Sequence, residues 1–467
     1  MMTTRRLTLA ITVMPLCILA GCALSENPAN RKTAVPAAWH FAASGTPTRS
    51  DRVSDHWWTQ FGSRELDRIV TQAVAQSYDV AAATARVRQA QAYARIAGAP
   101  LLPEVDAALS ASRQGQLGGH AAVTGTALSA GFTASYEIDF WGGNRAVRDS
   151  ALATLRATDY DRDTVRLTIS AGAARLWLQT VGLRQRLAIA HLNRDNAAQV
   201  LKLVESQVRA GAATPLEQAQ QRGLLAAQDR SIAAVDQQIG DSENSLSVLL
   251  GRHVGDLALD TASLESLKAP SIRAGLPSAL LHRRPDIARA EADLAVADAN
   301  ILAARAAMLP ALNLTAGVGY GSDHLITLLD NPLYSVAAAL TAPIFNAGRL
   351  AAGRDLTVAQ REELLAQYRS TIVSAFGDVE RALNAIEGLD RQAEAQQQEL
   401  SQARTAFTLA QARYKAGAET FLTVLDAQRT LYASMDLHAQ LRQSRLQASV
   451  GLCKALGGGW ALPPDSP

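Results

Sequence analysis

The stretch Leu128-Ser129-Ala130-Gly131-Phe132-Thr133-Ala134-Ser135-Tyr136-Glu137-Ile138-Asp139-Phe140 alternates at every step. Leu128, Ala130, Phe132, Ala134, Tyr136, Ile138 and Phe140 fall on one side of an extended chain. Ser129, Gly131, Thr133, Ser135, Glu137 and Asp139 fall on the other. A period of two is the mark of a β-strand with one apolar face. Three more segments repeat it. Val105, Ala107, Leu109 and Ala111 oppose Glu104, Asp106, Ala108, Ser110 and Ser112. Leu312, Leu314, Ala316, Val318 and Tyr320 oppose Asn313, Thr315, Gly317 and Gly319. Tyr334, Val336, Ala338, Leu340 and Ile344 oppose Ser335, Ala337 and Thr341. Strands are expected over 102–112, 127–140, 310–320 and 333–344, joined by Gly/Asn/Asp/Ser-rich loops 113–126 and 321–332. A soluble sandwich would bury these apolar faces, but four strands are too few to close on themselves. Segments of about 10 residues also suit a tilted strand crossing a bilayer. Lipid forbids an open sheet edge, so other chains must complete this one. The apolar side then faces lipid, and Glu104, Asp106, Glu137 and Asp139 face the lumen.

The strands come in two pairs because the chain is duplicated. Tyr78-Asp79-Val80 matches Pro285-Asp286-Ile287, and Leu102-Pro103 matches Leu309-Pro310. Phe140 and Gly143 match Phe345 and Gly348. Arg209-Ala210-Gly211-Ala212 matches Lys415-Ala416-Gly417-Ala418, and Leu250-Gly251 matches Leu456-Gly457. The separation barely drifts, which is the signature of an internal repeat. Repeat one covers 66–251 and repeat two 273–457, with a linker over 252–272 and a tail over 458–467. Each repeat reads as helix, strand, loop, strand, very long helix, tight turn, long helix. The first helix is expected over 64–98, with its counterpart over 286–307.

From Arg145 to Arg209 no Pro interrupts a three-to-four spacing of Leu, Ala, Val and Ile. At 1.5 Å per residue such a helix runs roughly 100 Å. Its apolar stripe requires helical neighbours, as in coiled-coil packing. The composition agrees. Hydrophobic residues reach 48% while aromatics are only 5%, so the contacts are mostly made by Ala, Leu and Val. At the far end Gly211 can take the left-handed position that stops a helix. Thr214-Pro215-Leu216-Glu217 then reads as N-cap, Pro at N1 and Glu at N3, a capping box. Gly417 and Thr420 repeat the stop and the cap.

The N-terminus is an address. Arg5 and Arg6 precede an apolar run from Leu7 to Ala20, the layout of a secretory signal over 1–21. It ends in Leu19-Ala20-Gly21-Cys22, which resembles a bacterial lipobox and implies lipidation at Cys22. Acyl chains add about 0.8 kcal/mol of anchoring per buried methylene. Ala23 follows, and by resemblance the missing Asp there implies transfer to the outer membrane. The segment 22–65 is expected to be a lipidated, extended arm. Cleavage removes two cations and no acid, leaving 43 of each sign. That balance argues against a polyanion-binding protein, so no nucleic acid is expected. Cys453 is left as the one unacylated thiol. No Cys-His spacing suits a metal, and no cofactor is expected.

The lipobox, the duplicated strand-helix plan, His282-Arg283-Arg284-Pro285-Asp286-Ile287, Tyr414-Lys415-Ala416-Gly417 and Leu422-Thr423-Val424-Leu425-Asp426-Ala427-Gln428-Arg429 together resemble the TolC/OprM-type outer-membrane factors, closest to the lipoprotein branch called NodT-type. The resemblance covers nearly the whole mature chain. It implies an α+β membrane protein: a homotrimer whose four strands per chain make a twelve-stranded β-barrel, with long periplasmic helices forming a coiled-coil barrel. It implies a passive outer-membrane conduit of a tripartite efflux system, exporting drugs or other toxic compounds. The partners implied are a periplasmic membrane-fusion adaptor and an inner-membrane RND-type pump. A type I secretion outlet shares this architecture. A periplasmic coiled-coil scaffold lipoprotein would explain the anchor and helices but not the strands.

Leu422, Asp426 and Arg429 stand at i, i+4 and i+7 on one helical stripe. Spacing alone reads as a surface helix with an Asp-Arg pair. The resemblance aligns them with aperture-lining positions, which as threefold rings would give an apolar constriction, an anionic ring and a cationic ring. Three carboxylates brought together raise one another's proton affinity. Repeat one has Leu216, Gln220 and Gly223 at the matching positions. Glu217 and Tyr414 align with an acid and a Tyr that latch neighbouring coils in TolC-like proteins. Thr423 and Glu419 replace that latch's second acid and its Arg. The two turns, with Val208, Gly211 and Ala212 and with Lys415, Gly417 and Ala418, resemble the tips that meet an adaptor.

Enzyme readings fare poorly, for HExxH, GxSxG and GxGxxG in a strand-helix context are all lacking. Gly115-Gln116-Leu117-Gly118-Gly119 is followed by no Lys-Ser/Thr and reads as a loop. Trp57 and Trp58 read as packing anchors.

Overall fold

The computed structural model describes residues 35–41, 53–118 and 125–462, apart from the side chain of Val254. The signal segment, Cys22 and most of the arm up to residue 52 lie outside the described residues.

A 3-10 turn over Trp57–Phe61 leads into α1 (Arg64–Gln76) and α2 (Tyr78–Gly98), then β1 (Glu104–Gln114) and β2 (Gly125–Ile138). Next come α3 (Gly143–Arg209) and α4 (Pro215–Leu249). Repeat two gives α5 (Pro285–Ala306), β3 (Ala311–Ser322), β4 (Pro332–Thr341), α6 (Arg349–Lys415) and α7 (Phe421–Ala455). α3 and α6 are both 67 residues long, and α4 and α7 are both 35. The duplication is therefore kept to the residue in the long hairpin helices.

Three details depart from the sequence reading. The helix expected over 64–98 breaks at Ser77, which adopts an extended conformation and whose Oγ accepts the Asp79 N–H at 3.2 Å. In repeat two the helix likewise starts at the corresponding place, Pro285, after a 3-10 turn over Pro277–His282. The fourth strand ends at Thr341, because Pro343 lacks the N–H a ladder needs, so Ile344 lies beyond it. Asp139 is not a lumen charge on β2. It follows the last strand residue and caps α3, accepting the N–H groups of Asn144 and Arg145 at 2.9 Å each and the Arg145 guanidinium at 3.0 Å.

The chain divides into two compact units. The first, residues 95–151 and 295–365, holds one antiparallel sheet in the order β1-β2-β3-β4. Its register aligns like with like. Ala107, Phe132, Val318 and Tyr334 form one row across all four strands, and Val105, Ala134, Ala316 and Val336 form another. On the opposite face run Asp106-Thr133-Gly317-Ser335 and Ala108-Gly131-Gly319-Leu333. The apolar face is uncovered: Leu109 is 81% exposed, Val336 80% and Tyr334 86%. Among the described residues β1 and β4 each pair on one side only, so both outer edges of the sheet are open.

The second unit, residues 35–94, 152–294 and 366–467, carries three helical cores. In the first, Trp57, Trp58 and Phe61 pack with α1 and with Trp177, Leu178, Leu246 and Val450. Cys453 belongs to this core, 1% exposed, and burial pushes its thiol up to about 12. In the third, Trp39 packs on Phe376 and its Nε1 donates to Gly275 O at 2.8 Å. Glu65 ties the linker to α1: its carboxylate accepts the backbone N–H groups of Asp260 (2.6 Å) and Thr261 (3.2 Å) and the Trp177 indole (3.1 Å). Burial works against the Glu65 charge, but these bonds outweigh it and hold the carboxyl below its ordinary range.

Candidate functional site

Both helical hairpins turn by the same backbone device. After α3, Gly211 takes a left-handed φ of 72°, its N–H bonds Val208 O at 3.1 Å, and the Ala212 N–H reaches Gln207 O at 2.8 Å. After α6, Gly417 takes φ 70°, with Gly417 N–H to Tyr414 O at 3.0 Å and Ala418 N–H to Arg413 O at 2.9 Å. This is the Schellman closure, which gives the last helical carbonyls their partners. It leaves Gly211, Ala212, Lys415, Gly417 and Ala418 exposed and Val208 half-buried against the core behind them.

The caps that follow differ. Thr214 and Glu217 form the full capping box: Glu217 Oε2 accepts the Thr214 N–H at 2.6 Å and its hydroxyl at 3.1 Å. Thr420 caps α7 by accepting the Thr423 N–H at 3.4 Å. Glu419 stands just before it. It accepts the Thr420 N–H and the Thr423 hydroxyl, both at 3.1 Å, and pairs with Arg413 at 3.5 Å. The Thr420 bond above all holds the Glu419 carboxyl below its usual range. Thr423 and Glu419 are thus engaged with each other at the turn.

Along α7 the two faces separate cleanly. Phe421, Val424, Leu425 and Gln428 are buried, whereas Leu422, Asp426 and Arg429 are exposed, Leu422 by 65%. Among the described residues neither Asp426 nor Arg429 forms an ion pair, with each other or with anything else. The Asp-Arg pair that i,i+3 spacing allows is not made. On α4, Leu216 is 66% exposed, Gly223 is exposed and Gln220 is half-buried, with no charge at these three positions. Tyr414 is buried with its ring 5.4 Å from that of Phe421, and its hydroxyl has no hydrogen-bond partner. Burial first, and the charge of Glu217 second, push the phenol above its ordinary range.

Behind the stripe lies a polar layer that pattern reading missed. Gln221 donates to Ala197 O at 2.9 Å, Gln428 to the Tyr432 hydroxyl at 2.7 Å, and Gln396 to Ser434 O at 2.7 Å. Arg186 of α3 grips Asp436 of α7 at 2.6 and 3.1 Å. The visible signal was glutamine on the apolar stripe of a helix. Gln428 finds its partner one turn along α7, but the partners of Gln221 and Gln396 come from other helices and cannot be read locally. Among the described residues no cluster of His, Cys, Asp and Glu suits a metal ion, and no helix is long and apolar enough to cross a membrane.

The model of the outer membrane efflux protein family matches residues 69–252 and 276–458. The pyoverdine export outer membrane protein OpmQ of Pseudomonas aeruginosa is 50% identical, over 96% of this chain and 97% of its own. The cation efflux system protein CusC of Escherichia coli is 30% identical over 96% of this chain and 99% of its own. Among solved structures, the outer-membrane channel OprN superposes with a TM-score of 0.88 at 25% identity, covering 94% of this chain and all of that one.

Proposed function

The chain belongs to the outer membrane efflux protein family, and from that premise we propose that it works as the outermost conduit of a tripartite exporter, fed by a periplasmic membrane-fusion adaptor and an inner-membrane RND-type pump. It is an efflux channel of the outer membrane. The observation that carries the reading is the four-stranded sheet with an uncovered apolar face and two open edges. Open edges cost several kcal/mol per unpaired group in hydrocarbon. Three copies, edge to edge, remove every edge and give a twelve-stranded barrel. The helices of three copies then bury one another's remaining apolar stripes as the periplasmic tunnel. Such a conduit carries out no bond-making chemistry.

The gate is assigned to the exposed stripe of α7. Leu422 supplies an apolar constriction, and Asp426 and Arg429 supply rings of opposite charge. Their lack of ion-pair partners among the described residues supports this, since charged groups free of local pairing are available to other subunits. Glu217 and Tyr414 act as a latch between neighbouring coils. The unpartnered Tyr414 hydroxyl supports that role, and Glu217 keeps its capping duty alongside. The exposed turns around Gly211 and Gly417 are the adaptor contacts, where small residues admit a partner backbone. Anchoring is through Cys22.

For cargo, the half-identical relatives named for pyoverdine export favour a siderophore of that class over the cations named for CusC. The test is complementation. A Pseudomonas strain lacking OpmQ is given this chain, and pyoverdine is measured in the medium. Restored export supports the assignment, and pyoverdine held at the deletion level removes it. Mass measurement in detergent tests assembly, and co-purification with the adaptor tests partnership.

A further inference from the structure

One cavity of the second unit, of about 500 Å³, has no part in the gate or the tips. α3 contributes Thr164, Thr168 and Arg175, the start of α5 contributes Arg284 and Asp286, and α6 and α7 contribute Asp378, Arg381 and Lys454. The charges do not balance. Arg284 is locked by Asp286 at 2.6 and 2.9 Å and by Asp378 at 3.0 Å, and Arg381 also binds Asp378. These four groups neutralise one another. Arg175 and Lys454 remain, and neither makes an ion pair among the described residues.

The duplication explains the excess. α3 and α6 have equal length, so Arg175 and Arg381 hold the same position in the two repeats. Arg381 has Asp378 one turn before it, whereas Arg175 has Gly172 there. A Cβ on Gly172 would stand 3.1 Å from Leu249 Cδ1, a tight contact, and as glycine the position supplies no carboxylate to match Asp378. The cavity thus keeps two cations without counterions. Among the described residues the Thr168 hydroxyl has no hydrogen-bond partner, while Thr164 donates its own to Tyr160 O at 2.9 Å. Leu167, Pro285, Ala382 and Ala455 supply an apolar wall.

We propose that this cavity is a binding site for an organic oxyanion, a carboxylate- or phosphate-bearing solute with an apolar body. The guanidinium fork of Arg175 suits a planar or tetrahedral oxyanion, and Lys454 adds a point charge. The volume is that of a small-molecule site, larger than a free inorganic ion requires. The neutralised Arg284 network forms a fixed floor that holds the opening.

The test is calorimetric titration of the full-length protein in detergent with phthalate, phenyl phosphate and the neutral isostere phthalamide. Phthalate or phenyl phosphate binds, the tighter of the two naming the oxyanion, and phthalamide does not. Arg175→Gln and Lys454→Gln each weaken binding about tenfold, the loss of one charge-assisted contact. Arg166→Gln, an exposed cation of α3 outside the cavity, leaves it unchanged. Thr168→Asp, which fills the site with the protein's own carboxylate, abolishes it. Equal heats for phthalate and phthalamide, or wild-type affinity in both charge variants, overturn the proposal. Single-channel conductance of the same variants, expected at the wild-type value, keeps this outcome separate from the conduit reading.

Discussion

Gly131 and Gly319 face each other across the β2–β3 ladder so closely that neither has room for a side chain. A Cβ on Gly131 would lie 2.6 Å from Val318 O, and one on Gly319 would lie 2.5 Å from Ala130 O. Both sit on the small-residue face. Gly317 is hemmed in on the same face, its Cβ position 2.8 Å from Ser335 Oγ. A sheet that curls crowds the atoms on its inner side, and glycine removes the crowding. Gly131→Ala or Gly319→Ala should therefore destabilise the assembled sheet by about 1–3 kcal/mol, the usual cost of overpacking. The readout is the temperature at which the oligomer dissociates on an unboiled gel. Gly240→Ala is the control. It lies within α4 with nothing near its Cβ position, and it should gain up to about 1 kcal/mol.

The gate assignment predicts leak. Asp426→Ala and Glu217→Ala should each raise single-channel conductance in planar bilayers, and Leu422→Ala should widen the aperture further. Glu217→Gln separates the two duties of that residue. It keeps an oxygen for the capping box but drops the charge, so it should spare the roughly 1 kcal/mol of capping while still loosening the latch. Wild-type conductance in all four variants would remove the gate from α7.

Ala347 is the one non-glycine among the described residues with a positive φ, 50°. It sits in the turn between β4 and α6, where repeat one has Gly142 at φ 78°. A side chain in the left-handed region costs roughly 1–2 kcal/mol, partly offset by the entropy that glycine loses on folding. Ala347→Gly should stabilise by about 0.5–1 kcal/mol, seen as a higher midpoint of thermal unfolding.

Glu65 predicts acid sensitivity. Its folded pKa is depressed, so its contribution is full above the unfolded value and is lost as pH falls through the folded one. Glu65→Gln should lower stability by about 1.5–3 kcal/mol at neutral pH, the worth of a hydrogen bond to a charged group. The difference from wild type should shrink in acid below both values. Helical circular dichroism against temperature at several pH values measures it.

Cys453 should be inert. A buried thiol pushed up to about 12 offers almost no thiolate at neutral pH, so maleimide should label it only after unfolding.

Much of this was legible because membranes and long helices impose simple periods. The alternation around Phe132 and Val318, and the Gly-Ala and Thr-x-x-Glu signals at the hairpin turns, are local patterns with local physical causes. What was not legible depends on packing between distant segments. The Ser77 break is invisible when only its flanking apolar residues are counted. Asp139 continues the alternation of β2, and only the start of α3 reveals it as a cap. Tyr414 read as a latch residue by resemblance, but nothing in its neighbourhood announced a hydroxyl without a partner. Arg175 and Lys454 lie 279 residues apart in sequence, and only folding brings them to one cavity.

The equal lengths of α3 and α6, and of α4 and α7, make the chain behave like a caliper with matched jaws. One residue added to a single arm would turn everything beyond it by about 100° and pull its apolar stripe off register. Growth or shrinkage of this protein is thus confined to simultaneous, identical edits in both halves, preferably in whole heptads, and its reach can change only in coarse steps.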